Sequence, residues 1–169
     1  MSYQYKNVYW LWLSAFVIFA DQVTKQLVVK HLDWFEVNPI LPHLNLTHMR
    51  NTGAAFSMLS HLPPWSFVLL GVAVSSGIFI WLRRNPQGET IMAAALSLIL
   101  GGALGNVIDR ARLGHVTDFI DFYVGNWHFA AFNVADMAIS AGAGLLMLDM
   151  LLQARREKAA AAAAVAKSG

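Results

Sequence analysis

Cysteine is absent from all 169 residues, which excludes disulfides, thiolate metal sites and a cysteine nucleophile together. Charge is scarce as well. Asp, Glu, Lys and Arg make up 13% of the chain, about half the share in an average soluble domain. The net charge of +2 is small, and the basic residues fall at helix ends rather than on one stripe, so nucleic acid is not an expected partner. The six histidines show no metal-ligand spacing, and core or interface roles are expected for all of them (His31, His43, His48, His61, His115 and His128). No glycine-rich phosphate loop and no serine in a nucleophile-elbow pattern are present, so no cofactor is expected.

What remains is apolar. Hydrophobic residues reach 57%, and one integral membrane domain is expected. Its four runs, at about 8–29, 65–82, 90–108 and 134–152, approach the roughly 20 residues needed to cross a bilayer. The first resembles a secretory signal only superficially. Lys6 precedes it, but Ile18 stands where a small residue should precede Ala20, so an uncleaved anchor is expected. Lys6, Arg83, Arg84, Arg155, Arg156, Lys158 and Lys167 fall on one side, and Lys25, Lys30, Arg50, Arg110 and Arg112 on the other. The positive-inside rule then places both termini, with the 153–169 tail, in the cytoplasm. Gly101 and Gly105, Ala138 and Gly142, and Ser140 and Gly144 are spaced for close helix contact.

The fold expected is therefore an all-α membrane protein with four transmembrane helices and a small β-sheet and loop region on the outer face. Residues 44–50, "LNLTHMR", alternate as a strand does, and "DFIDFYVGNWHFAAF" contains two aromatic runs divided by a Gly125-Asn126 turn. Polar residues gather at the same depth. Asp21 and Lys25 lie four apart near the outer end of the first span, Asn51 and Gly53 in the first outer loop, and Asn106, Asp109 and Arg110 at the end of the third span. Asp118 is in the second outer loop, and Asn133 and Asp136 open the fourth span. Ionisable groups in a bilayer default to function. Each also has a bland reading: an i,i+4 ion pair for Asp21 and Lys25, a capping box for Asn133 and Asp136, a cation partner for Asp109, and solvated hairpin positions for Asp118 and Asp121. Two carboxylates sharing a site keep one proton between them, which suits hydrolysis by activated water. Proton-coupled transport through buried carboxylates and a purely structural scaffold stand as alternatives, and the loop position of Asp118 favours hydrolysis.

Five segments taken together resemble the lipoprotein signal peptidases (signal peptidase II), a bacterial aspartic membrane peptidase family. They are "DQVTK" at 21–25, "NTGAAF" at 51–56, "GGALGNVIDR" at 101–110, "VTDF" at 116–119 and "FNVAD" at 132–136. The resemblance implies an inner-membrane enzyme with its site on the periplasmic side. It would cut diacylglyceryl-modified prolipoproteins on the amino side of the lipidated cysteine and be sensitive to globomycin. It implies catalysis by Asp118 and Asp136, supported by Asp21, Asn51, Gly53, Asn106, Asp109, Arg110, Asn133 and Ala135. On that basis Arg110 is expected to pair with Asp109, Asn106 and Asn133 to hydrogen-bond the carboxylates, and Asn51 to hold the substrate backbone. Trp34 and the hairpin aromatics are expected to clamp the lipid-bearing cysteine.

Overall fold

Four helices and four short strands follow one another in the computed structural model, which describes residues 7–53, 62–86 and 88–168. Lys6, His61, residues 54–56 of the "NTGAAF" motif and the side chain of Lys167 lie outside the described part. The helices are Leu11–His31 (α1), Pro64–Arg84 (α2), Thr90–Leu113 (α3) and Val134–Ser168 (α4), with a 3-10 turn at Val8–Trp10 ahead of α1. Their limits follow local chemistry. Proline at the first position of α2 needs no helical donor and arrives with its φ already set. Gly114 closes α3 at φ 76°, a left-handed cap that suits glycine. The alanine-rich tail continues α4 beyond Leu152 because alanine has the strongest helix propensity.

Among the described residues three helical segments are long and apolar enough to cross a membrane: Pro64–Arg84, Thr90–Leu113 and Val134–Ala163. With its 21 residues α1 has the length, but Asp21, Gln22, Lys25 and Gln26 dilute its apolar run. The centre of the bundle is α3, which packs against α1, α2 and α4. Small residues allow this. A Cβ on Gly105 would come within 2.7 Å of Asp21 Oδ2, and one on Gly142 within 2.7 Å of the Ala95 carbonyl oxygen. The close helix approach expected over Ser140 and Gly144 is not made: Gly144 faces open space, and Ser140 opens onto a cleft. At the end where α2 leads into α3, Leu82, Met92, Ala93 and Leu96 form an apolar cluster.

A four-stranded antiparallel sheet caps the other end of the bundle, in the order β1 (Val37–Leu41), β2 (Leu44–Asn51), β3 (Val116–Val124), β4 (Trp127–His128). The Gly125-Asn126 turn joins β3 to β4, with Gly125 at φ 60°. The strand expected at "LNLTHMR" is β2, but its alternation breaks. Leu46 pairs with Ile120 and Met49 with Asp118, so Thr47 and His48 together oppose one residue of β3, and both are buried. This bulge resets the facing of the strand and brings Asn51 to the side of β3 that carries Asp118. An apolar cluster of Val28, Leu32 and Phe119, with Leu46, Ile120 and Val134 against it, fastens the sheet to α1 and to the start of α4. Phe132 then pairs with Ile120 through reciprocal backbone bonds of 3.0 and 2.9 Å, which sets the mouth of α4 beside β3.

Candidate active site

Asp118 is 3% exposed on β3, and Asp136 lies in the first turn of α4. Both border one cleft of about 600 Å³, with Asn51, Asn106 and Arg110 on its polar side and Phe129, Ala130, Ala131, Phe132, Met137 and Ile139 on its apolar side. The Asn133–Asp136 capping box is made in full. The Asp136 N–H donates to Asn133 Oδ1 at 2.9 Å, and the Asn133 N–H donates to Asp136 Oδ2 at 3.2 Å. The cap therefore positions the carboxylate instead of competing with it.

Three asparagine amides surround the two carboxylates, and a partner that can only donate orients each one. The Gly53 N–H donates to Asn51 Oδ1 at 3.0 Å, the Asp136 N–H to Asn133 Oδ1 at 2.9 Å, and Lys25 Nζ to Asn106 Oδ1 at 2.9 Å. Such a group must face the amide oxygen, so each NH2 turns toward a carboxylate. Asn51 Nδ2 donates to Asp118 Oδ2 at 3.0 Å, Asn133 Nδ2 to Asp118 Oδ1 at 2.7 Å, and Asn106 Nδ2 to Asp136 Oδ1 at 2.8 Å.

Burial, and then the neighbouring charge of Asp136, push the Asp118 carboxyl up to about 7, against the opposing pull of the Asn51 and Asn133 donors and of Lys25. Near neutral pH Asp118 thus holds a proton for much of the time. The site combines a carboxyl able to give a proton with a second carboxylate, a cation and an apolar wall on one cleft.

Behind the cleft lies a buried ionic cluster. Lys25 Nζ is 2.8 Å from Asp21 Oδ2 and 3.0 Å from Asp109 Oδ2. The Ala135 N–H at the start of α4 donates to Asp21 Oδ1 at 2.9 Å, and the Thr117 N–H donates to Asp109 Oδ2 at 3.2 Å. Gln22 joins the two acids, donating to Asp109 Oδ1 at 2.8 Å and to Asp21 Oδ2 at 3.3 Å. So the ion pair expected within α1 is present, and it also reaches α3, β3 and α4.

Three expectations are corrected. Asp109 pairs with Lys25, and Arg110 points elsewhere because consecutive helix residues do not share a face. Arg110 Nη2 donates to the Gly53 carbonyl at 2.7 Å, and its guanidinium lies 5.2 Å from the Phe67 ring centroid. Asp121 is buried rather than solvated: it stands opposite Asn45 in the ladder and accepts from Asn45 Nδ2 at 2.8 Å, with His128 at 2.9 Å. Trp34 does not border the cleft. It stacks on His48 with centroids 3.8 Å apart and carries the Arg50 guanidinium 3.3 Å from its ring centroid, whereas Phe129 and Phe132 do line the cleft. Of the described histidines, only His48 is buried. Among the described residues no His, Asp and Glu group could hold a metal ion. Gln22 and the Thr117 N–H escaped sequence reasoning, although Gln22 sits inside the "DQVTK" segment.

A helical membrane protein with a small sheet at one end and two aspartates facing one cleft defines, in class, a membrane protein with a carboxylate site at one end of its helices. Residues 13–152 match the profile of the signal peptidase (SPase) II family, and the chain belongs to that family of membrane peptidases. It is 49% identical over 153 residues to the lipoprotein signal peptidase of Hydrogenovibrio crunogenus, covering 88% of this chain and 89% of that one. It is 50% identical over 146 residues to the lipoprotein signal peptidase of Coxiella burnetii, covering 85% and 90%. Two solved structures, each described as a bacterial membrane enzyme, superpose with TM-scores of 0.80 and 0.76 at 32% and 33% identity. The first covers 86% of this chain and 88% of that one, the second 84% and 92%.

Proposed function

We propose that this peptidase removes the signal peptide from diacylglyceryl-modified prolipoproteins, cleaving on the amino side of the lipidated cysteine, with Asp118 and Asp136 as its catalytic pair. The single observation that carries the chemistry is a buried Asp118, its titration pushed up to about 7, on the same cleft as Asp136. Asp136 takes a proton from a water molecule held between the two carboxyls. The water oxygen bonds to the scissile carbonyl carbon while protonated Asp118 gives its proton to the carbonyl oxygen. The gem-diol then collapses: the C–N bond breaks, the proton held by Asp136 passes to the leaving cysteine nitrogen, and Asp118 recovers a proton from a diol hydroxyl. The apolar cleft wall strengthens each of these electrostatic steps.

The remaining polar groups serve substrate and dyad. Asn51 and Gly53 hold an extended substrate backbone, and Arg110 keeps positive charge beside the carbonyl oxygen. Asn106, Asn133, Asp21, Asp109 and Ala135 keep the two carboxylates in register. Phe129 and Phe132 receive the apolar residues ahead of the scissile bond. In this reading α1 is the fourth span: its Asp21 and Lys25 are 0% and 3% exposed, so its polar groups are satisfied inside the bundle and not by lipid. The enzyme resides in the bacterial inner membrane with both termini cytoplasmic and the sheet at the periplasmic surface, in contact with membrane lipid. Globomycin-type lipopeptides occupy the same cleft.

The test is incubation of purified enzyme with a diacylglyceryl-modified precursor and with its unmodified twin. Cleavage of the modified precursor alone supports the reading. Equal cleavage of both removes the lipid requirement, and cleavage of neither removes the activity. A carboxylate-using carrier would instead show proton-coupled flux in liposomes and indifference to globomycin.

A further inference from the structure

Of the donors that orient the three asparagines, two are backbone N–H groups and one is a side chain, Lys25. It does not border the cleft and is 3% exposed. Its ammonium makes three short contacts: Asp21 Oδ2 at 2.8 Å, Asp109 Oδ2 at 3.0 Å and Asn106 Oδ1 at 2.9 Å. The first two account for its charge, because a buried ammonium needs carboxylate partners. The third does something an ion pair does not require. An ammonium has three donors and no acceptor, so it dictates which end of the Asn106 amide faces it. Asn133 Nδ2, 3.3 Å from the same oxygen, reinforces that choice. The NH2 end is left toward Asp136 at 2.8 Å. With the amide reversed, Asn106 would set an oxygen against the Asp136 carboxylate.

We infer that Lys25 is a positioning residue of the peptidase, acting through Asn106 to present a hydrogen-bond donor to Asp136. The inference rests on the two-aspartate reading above. Lys25 touches neither substrate nor the reacting atoms; its contribution is the orientation of one amide. A second opening makes the role testable. A separate pocket of about 240 Å³, lined by Gln22, Gln26, Lys30, Asp109 and Arg112 among others, reaches Lys25 from the side of α1 and α3. A small amine can therefore enter where a truncated Lys25 leaves room.

The experiment uses full-length enzyme in lipid-doped micelles with the diacylglyceryl precursor. Lys25→Ala lowers kcat by at least about tenfold, equivalent to about 1.4 kcal/mol, while KM stays within about twofold, as for loss of a transition-state interaction. Added ethylammonium restores part of kcat, and tetramethylammonium, which carries the charge without an N–H, restores none. An unchanged kcat, a change confined to KM, or equal restoration by both cations overturns the inference. If Lys25→Ala does not fold, Lys25→Met combined with Asp109→Asn, which keeps the volume and removes the N–H donor, replaces it, compared with Asp109→Asn alone. A further tenfold loss of kcat supports the role, and equal values overturn it. Cleavage by Asp118→Asn would defeat the dyad itself. An inactive Asp118→Asn beside a fully active Lys25→Ala defeats only the role of Lys25.

Discussion

Replacing Asn51 with alanine deletes one of two side-chain donors to Asp118, the one at 3.0 Å, and leaves Asn133 at 2.7 Å. Both donors favour the charged carboxylate and hold its titration down against burial and Asp136, with about 7 as the balance. A hydrogen bond to a charged group contributes about 1.5–3 kcal/mol, and one pH unit corresponds to about 1.4 kcal/mol. Losing the bond therefore raises the titration by about one unit or somewhat more. Asp118 must be protonated to act as the acid, so activity falls as pH rises through its titration. The alkaline limb of kcat/KM, near 7 in the parent, moves to about 8 in Asn51→Ala. The assay is cleavage of lipidated precursor from pH 5 to about 9.5, with the limb falling tenfold per unit as one proton leaves. The Gly53 N–H also loses its acceptor, so KM rises at every pH, which lowers kcat/KM evenly and cannot displace its limb. A limb of kcat/KM that stays in place or moves to lower pH would refute the reasoning.

Asp118→Asn should stabilise the fold at pH 8 by up to about 4 kcal/mol, measured by thermal or chemical unfolding in micelles. The sign follows from a folded-state titration near 7 against 3.8 in the unfolded chain: the folded state binds the extra proton between those values, so parent stability falls as pH rises through that window. The stabilisation by Asn should vanish below about pH 4, and an equal gain at all pH values would contradict the assignment. Gly105→Ala places a methyl group 2.7 Å from Asp21 Oδ2 and should cost about 1–3 kcal/mol; an unchanged unfolding midpoint would show that α1 and α3 are not so closely packed there.

Features carried by short spacing were legible in the sequence. The Asn133–Asp136 cap, the Asp21–Lys25 pair and the Gly125-Asn126 turn each depend on residues no more than four apart, and each is present. Depth was legible too, since apolar runs place their polar ends at common levels, and the two aspartates do meet on one cleft. Direction was not. That Lys25 is the partner of Asp109 depends on how α1 and α3 are rotated against each other, and no spacing within either helix encodes that. The burial of Asp121 depends on Asn45, 76 positions away across the β2–β3 ladder. The strand β1 was hidden by its exposure along its whole length and by Pro39 within it, a residue tolerated there because the strand is an edge. The bulge at Thr47 and His48 breaks the alternation on which a strand reading rests. The polar residues of α1 dilute its apolar signal yet form the cluster that holds the site.

The most direct measurement is single-turnover cleavage of diacylglyceryl-modified precursor by Asp118→Asn and Asp136→Asn enzymes that still bind it. The account predicts that each loses at least about 100-fold in the chemical step with binding preserved. Cleavage at the parental rate by either variant would contradict it.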